Sequence, residues 1–136
     1  MKIKAIILCK KNSQRLKNKN TRKFSNFKFG LLELKIKQLL KVTEIDQILI
    51  STDDEKILKK YKTLNKKITT IRRDKKLCLL KTRTEDLIKY IINLIPNDKI
   101  LWTQVSSPLV DEKIYKKAIL TYKKKSKLGF DSLMSV

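Results

Sequence analysis

The chain has 136 residues, enough for one domain with a real core, and carries 34 Lys and Arg against 13 Asp and Glu, a formal charge of +21. It has no His and two separated cysteines, Cys9 and Cys78, which argues against a zinc site or a disulfide framework and fits a reducing cytoplasm. No apolar run approaches the ~20 residues of a membrane span, and the first one is too short for a signal peptide and lacks its cleavage site.

Residues 3–9 have the length and branching of a buried strand. They lead into K-K-N-S-Q-R-L-K-N-K-N, residues 10–20, a polar, cationic stretch with no acid in it. A strand that delivers such a loop to its own C-terminal end is how open α/β sheets build polyphosphate sites. Neither G-x-x-x-x-G-K-[ST] nor G-x-G-x-x-G is present, so composition alone makes the loop an anion-binding candidate.

After an irregular connector, Gly30 releases a helix predicted over 31–41. Leu31, Leu34, Leu39 and Leu40 give it an apolar face, and Lys35, Lys37 and Lys41 are expected in solvent. Residues 46–51 predict a second strand running into T-D-D-E, a capping pattern in which Thr52 caps a helix over 55–64. The adjacent Asp53 and Asp54 suit Mg²⁺ chemically, but complementing the helix dipole explains them better. A short strand over 68–71 precedes Arg72 and Arg73, and residues 75–83 form a loop rich in Lys and Leu. Thr84 opens a helix with Leu87, Ile88, Ile91, Ile92 and Ile95 as its expected buried side, ending at the Pro96-Asn97-Asp98 turn. Residues 99–105 predict the fourth strand, leading into S-S-P-L. Asp111 then starts a helix with Ile114, Ala118, Ile119 and Tyr122 on one face.

Strands alternating with helices predict an α/β domain, a mostly parallel Rossmann-like sheet with helices on both faces. The C-terminal ends of its strands would bring 10–20, Arg72 and 104–109 to one edge. The excess charge suggests nucleic acid, but the lysines are spread evenly and arginine, the usual base reader, is confined to Arg15, Arg22, Arg72, Arg73 and Arg83. A basic α/β binding module for nucleic acid or another anionic partner is therefore the alternative reading.

Four motifs in order resemble the acylneuraminate (CMP-sialic acid) cytidylyltransferases. These are the basic loop with Ser13, Arg15, Leu16, Lys19 and Asn20 at family spacing, S-T-D-D-E at 51–55, Gln104 with S-S-P-L at 106–109, and D-S-x-x-S-V at the end. Lys10 stands for the family's Arg, Gln14 for Lys, Lys17 for Pro and Val110 for a further Arg. The resemblance implies a nucleotide-diphosphosugar-transferase type sheet, over 1–136 as a single nucleotide-binding domain. It also implies transfer of CMP from CTP, with Mg²⁺, to a nonulosonic sugar acid such as sialic, legionaminic or pseudaminic acid. Lys19 would then be the catalytic cation at the α-phosphate. Lys10, Ser13 and Arg15 would hold the β- and γ-phosphates, and Asn20, Arg72, Gln104 and Ser106 the ribose and cytosine. Family members continue into a dimerising, sugar-binding arm and paired metal-binding aspartates. The chain is therefore expected to lack the family's C-terminal part and to show little CMP transfer alone.

Overall fold

A computed structural model describes residues 2–11, 20–79 and 81–134. Four strands, β1 (Ile3–Cys9), β2 (Gln47–Thr52), β3 (Ile68–Arg72) and β4 (Lys99–Thr103), form one sheet in the order β3-β2-β1-β4. Every pairing is parallel, with Ile7 opposite both Ile50 and Thr103. Parallel neighbours need a crossover, and three helices supply it, α1 (Gly30–Leu40), α2 (Glu55–Tyr61) and α3 (Thr84–Leu94), while α4 (Glu112–Ser126) follows β4. The fold is the parallel α/β sheet with covering helices that the alternation predicts.

The central strands read as continuous apolar runs because both their faces are covered. Ala5, Ile7 and Cys9 meet Leu32, Ile36 and Leu39 of α1, Ile57 and Tyr61 of α2, and Tyr115 and Ile119 of α4. Ile6 and Leu49 point the other way, against Ile91 of α3 and Ile95 beyond it. Each such fully buried aliphatic side chain contributes ~1.5–3 kcal/mol over an exposed one. The covering is unequal, since only α3 lies on the second face. Ile88 and Ile92, expected in the core, are accordingly 41% and 54% exposed.

Three further expectations are corrected by packing. Lys35 is fully buried, not solvent-facing, because α1 turns Leu32, Lys35, Ile36 and Leu39 inward. Helix α2 is capped by Asp54, whose carboxylate accepts the Lys56 N–H, while the Thr52 hydroxyl accepts the Asp54 N–H one step earlier. In α4 the inward residues are Tyr115 and Ile119, and Ile114 is half exposed. Gly30 enters α1 with φ +75°, and a Cβ there would stand 2.3 Å from the Arg22 carbonyl oxygen, so the turn into α1 requires glycine. Glu33 completes that turn by accepting the Phe29 N–H at 2.7 Å, a bond that holds its carboxyl below the usual range.

Candidate active site

The chain winds from β1 outward to β3, then jumps back across β1 to lay down β4. The ends of β1 and β4 therefore flank a topological switch point, where open α/β sheets leave a crevice. A cavity of about 250 Å³ occupies it. Its polar wall is Lys10 after β1, Asn20, Arg73 after β3, Thr82, and Gln104 and Ser106 after β4. Its apolar wall is Leu8, Leu77, Leu79, Leu87 and Val105.

Of the residues singled out from sequence, Lys10, Asn20, Gln104 and Ser106 come together in this cavity. Ser13, Arg15 and Lys19 lie outside the described residues. Arg72 goes elsewhere. It closes β3 on the α2 face of the sheet, is mostly exposed, and pairs with Glu55 of α2, which lowers the Glu55 carboxyl below its ordinary value. Arg73, one residue on and therefore facing the opposite way, is 4% exposed and lines the cavity. Its N–H bonds the Thr52 carbonyl at 2.9 Å, and its Nε donates to Cys78 Sγ at 3.2 Å. The strand register carried the signal: counting alternation inward from Ile71, which packs on the α3 face, assigns Arg73 to that face.

Local bonds hold the strand ends. Asp53 accepts the Lys11 N–H at 2.7 Å, which ties the start of the basic segment to the end of β2. The Asn20 carbonyl accepts the Leu32 N–H at 2.9 Å. Burial pushes the Cys9 thiol up to about 12. Cys9 is thus a protonated core thiol at neutral pH and no nucleophile. With Asp53 on Lys11 and Asp54 capping α2, the paired aspartates are already committed. Among the described residues no cluster of three acidic, His or Cys side chains forms a metal site. No helix among the described residues is long and apolar enough to cross a membrane.

A parallel α/β sheet with a polar, cationic crevice at its switch point is the arrangement in which open α/β folds bind ligands. The sequence profile of the cytidylyltransferase family matches residues 4–135, and the chain belongs to that family. No curated protein sequence matches it. Among solved structures it is similar to a CMP:2-keto-3-deoxy-manno-octonic acid synthetase complexed with CTP, at 14% identity and a TM-score of 0.69. That match covers 91% of this chain and 48% of the other. A cytidylyltransferase from Leptospira borgpetersenii aligns at 21% identity and TM-score 0.65, covering 91% of this chain and 50% of that one. A 4-diphosphocytidyl-2C-methyl-D-erythritol synthase from Anaerococcus prevotii aligns at 20% identity and TM-score 0.65, covering 90% and 52%. The chain thus spans about half the length of the solved structures it matches.

Proposed function

We propose that this chain supplies the nucleotide-binding portion of a CTP-dependent cytidylyltransferase that activates a nonulosonic sugar acid to its CMP form, releasing pyrophosphate, for surface polysaccharide or glycan synthesis. The observation that carries the reading is the convergence of three strand ends on one crevice, with Lys10, Arg73, Gln104 and Ser106 around an apolar slot. Its volume of about 250 Å³ is below the ~300–1,000 Å³ of whole-ligand clefts, which suits a nucleoside with its phosphates leading outward. The leucines would take the faces of the base, and Asn20, Gln104 and Ser106 its edge and the ribose. Arg73 replaces Arg72 in this role. The phosphates would run toward the basic segment, with Lys10, Ser13 and Arg15 on the β- and γ-phosphates and Lys19 at the α-phosphate. The sugar's anomeric hydroxyl would attack the α-phosphorus as the bond to pyrophosphate breaks. Such a transfer asks the protein for positioning and positive charge. Mg²⁺ would arrive on the triphosphate, not on carboxylates of the described residues. The sugar-acid class is supported by the four-motif resemblance and by the similar sugar-acid synthetase complexed with CTP.

CTP with Mg²⁺ is expected to raise the melting temperature more than ATP or GTP does, and Lys19→Ala to abolish the shift. Equal stabilisation by all three nucleotides, or an unchanged response in the variant, would overturn the assignment. A charge-driven binder of nucleic acid would instead lose affinity steeply and without base preference as salt rises.

A further inference from the structure

The side chain of Lys35 lies at the centre of α1, fully buried, where an amphipathic helix would ordinarily carry an apolar residue. Its Nζ donates to the Ser107 carbonyl at 2.9 Å and the Val110 carbonyl at 3.0 Å, and lies 2.9 Å from the Tyr115 hydroxyl. One turn along, Gln38 Nε2 donates to the Pro108 carbonyl at 2.9 Å, while its buried Oε1 has no partner among the described residues. Both groups are expensive for a core: an ammonium is taken out of water, and an amide oxygen is left unpaired.

What they hold is the segment that follows β4. Ser107 is the pivot of two consecutive turns, its N–H bonding the Gln104 carbonyl and its own carbonyl accepting the Val110 N–H. Lys35 grips that shared carbonyl, and Gln104 and Ser106 are the cavity residues on the first turn. We propose that Lys35, assisted by Gln38, is a positioning residue of the nucleotide cleft, fixing the 104–110 segment so that Gln104 and Ser106 face the ligand. The inference rests on the cleft binding a nucleotide. Burial lowers the Lys35 amine to about 8, and the neutral amine keeps the clamp: two N–H bonds go to the carbonyls and the lone pair accepts the Tyr115 O–H.

The test compares wild type with Lys35→Met, Gln38→Leu and Tyr115→Phe by amide hydrogen exchange without nucleotide, and by CTP titration. Lys35→Met is expected to speed exchange at Ser107 and Val110 by about tenfold while Ile50 in the core stays protected, and to weaken CTP by about tenfold. Tyr115→Phe keeps both carbonyl bonds and should leave the segment as in wild type. Gln38→Leu frees only the Pro108 carbonyl and should loosen the segment less, which preserves the test if Lys35→Met does not fold. Unchanged exchange at Ser107 and Val110, parallel acceleration at Ile50, or a loosened segment with undiminished CTP affinity would each overturn the inference. A wild-type chain indifferent to CTP would sink the proposed function instead, and the exchange result would still decide whether Lys35 is the anchor.

Discussion

On one side of the cleft, residues 104–110 are fastened from beneath by Lys35 and Gln38, across 70 to 75 positions of chain. On the other side, among the described residues, 74–79 and 81–82 are joined by short-range bonds. Asp74 accepts the Lys76 N–H, the Cys78 thiol reaches the Asp74 carbonyl, and the Thr82 hydroxyl donates to the Lys76 carbonyl, none spanning more than six positions. Arg73 is the link between this second wall and the sheet. Bonds to a distant core element open only when the core opens, whereas bonds within a loop open with the loop. Among the described residues the cleft therefore has one wall tied to the core by long-range bonds and one whose bonds are mostly local.

The sharpest way to break that contrast is at Arg73. Arg73→Met removes charged donors from the cavity and is expected to weaken CTP by ~10–100-fold, against little change for Arg72→Met, measured by calorimetric titration. If the two variants behave alike, the second wall is not joined to the ligand through Arg73. Next in size is Gly30→Ala. The left-handed φ alone costs ~1–3 kcal/mol, and the added methyl meets the Arg22 carbonyl, so urea unfolding should show a clear loss. Because Asn20 and Arg22 crowd the same turn, this variant asks whether Asn20 moves with the wall tied to the core.

A smaller effect concerns pH. An unfolded lysine keeps its proton to ~10.4, while buried Lys35 gives it up near 8. Between those values the unfolded chain binds more protons, so folding stability rises with pH and the gain is lost as pH falls through about 8. Denaturation of wild type minus Lys35→Met across that window should show the difference growing toward alkaline pH. A flat difference would mean that the amine keeps an ordinary ionisation. Smallest of all, Thr82→Ala should lower global stability by no more than ~0.5–1 kcal/mol, with faster exchange confined to 74–82.

The sheet was readable from residues alone because strands covered on both faces are largely apolar, as the runs Ala5–Cys9 and Ile48–Ile50 within β1 and β2 are. The convergence of Lys10, Asn20, Gln104 and Ser106 followed from parallel strands sharing one C-terminal edge. The local rules failed where the deciding partner is remote. A lysine on an amphipathic helix reads as solvent-facing until the Ser107 and Val110 carbonyls are brought beneath it. Thr82 and the leucines at 77 and 79 line the cavity through the path of the connection after β3, which no local pattern fixes. The choice between Arg72 and Arg73 turned on a single residue of strand length, since successive side chains leave a strand on opposite faces.

The placement of β1 between β2 and β4 has a kinetic consequence. Strand β1 precedes both of its neighbours in the chain, so Ile7 must wait for Ile50 on one side and Thr103 on the other. Pairings so far apart in sequence close slowly, because most of the loop entropy is lost before the contacts reward it. During synthesis the β4 side of β1 stays an open edge until β4, which begins at Lys99, has emerged. The crevice between β1 and β4 therefore forms only once β4 has paired with β1, and a ligand that fills it would stabilise that pairing as well as the folded sheet.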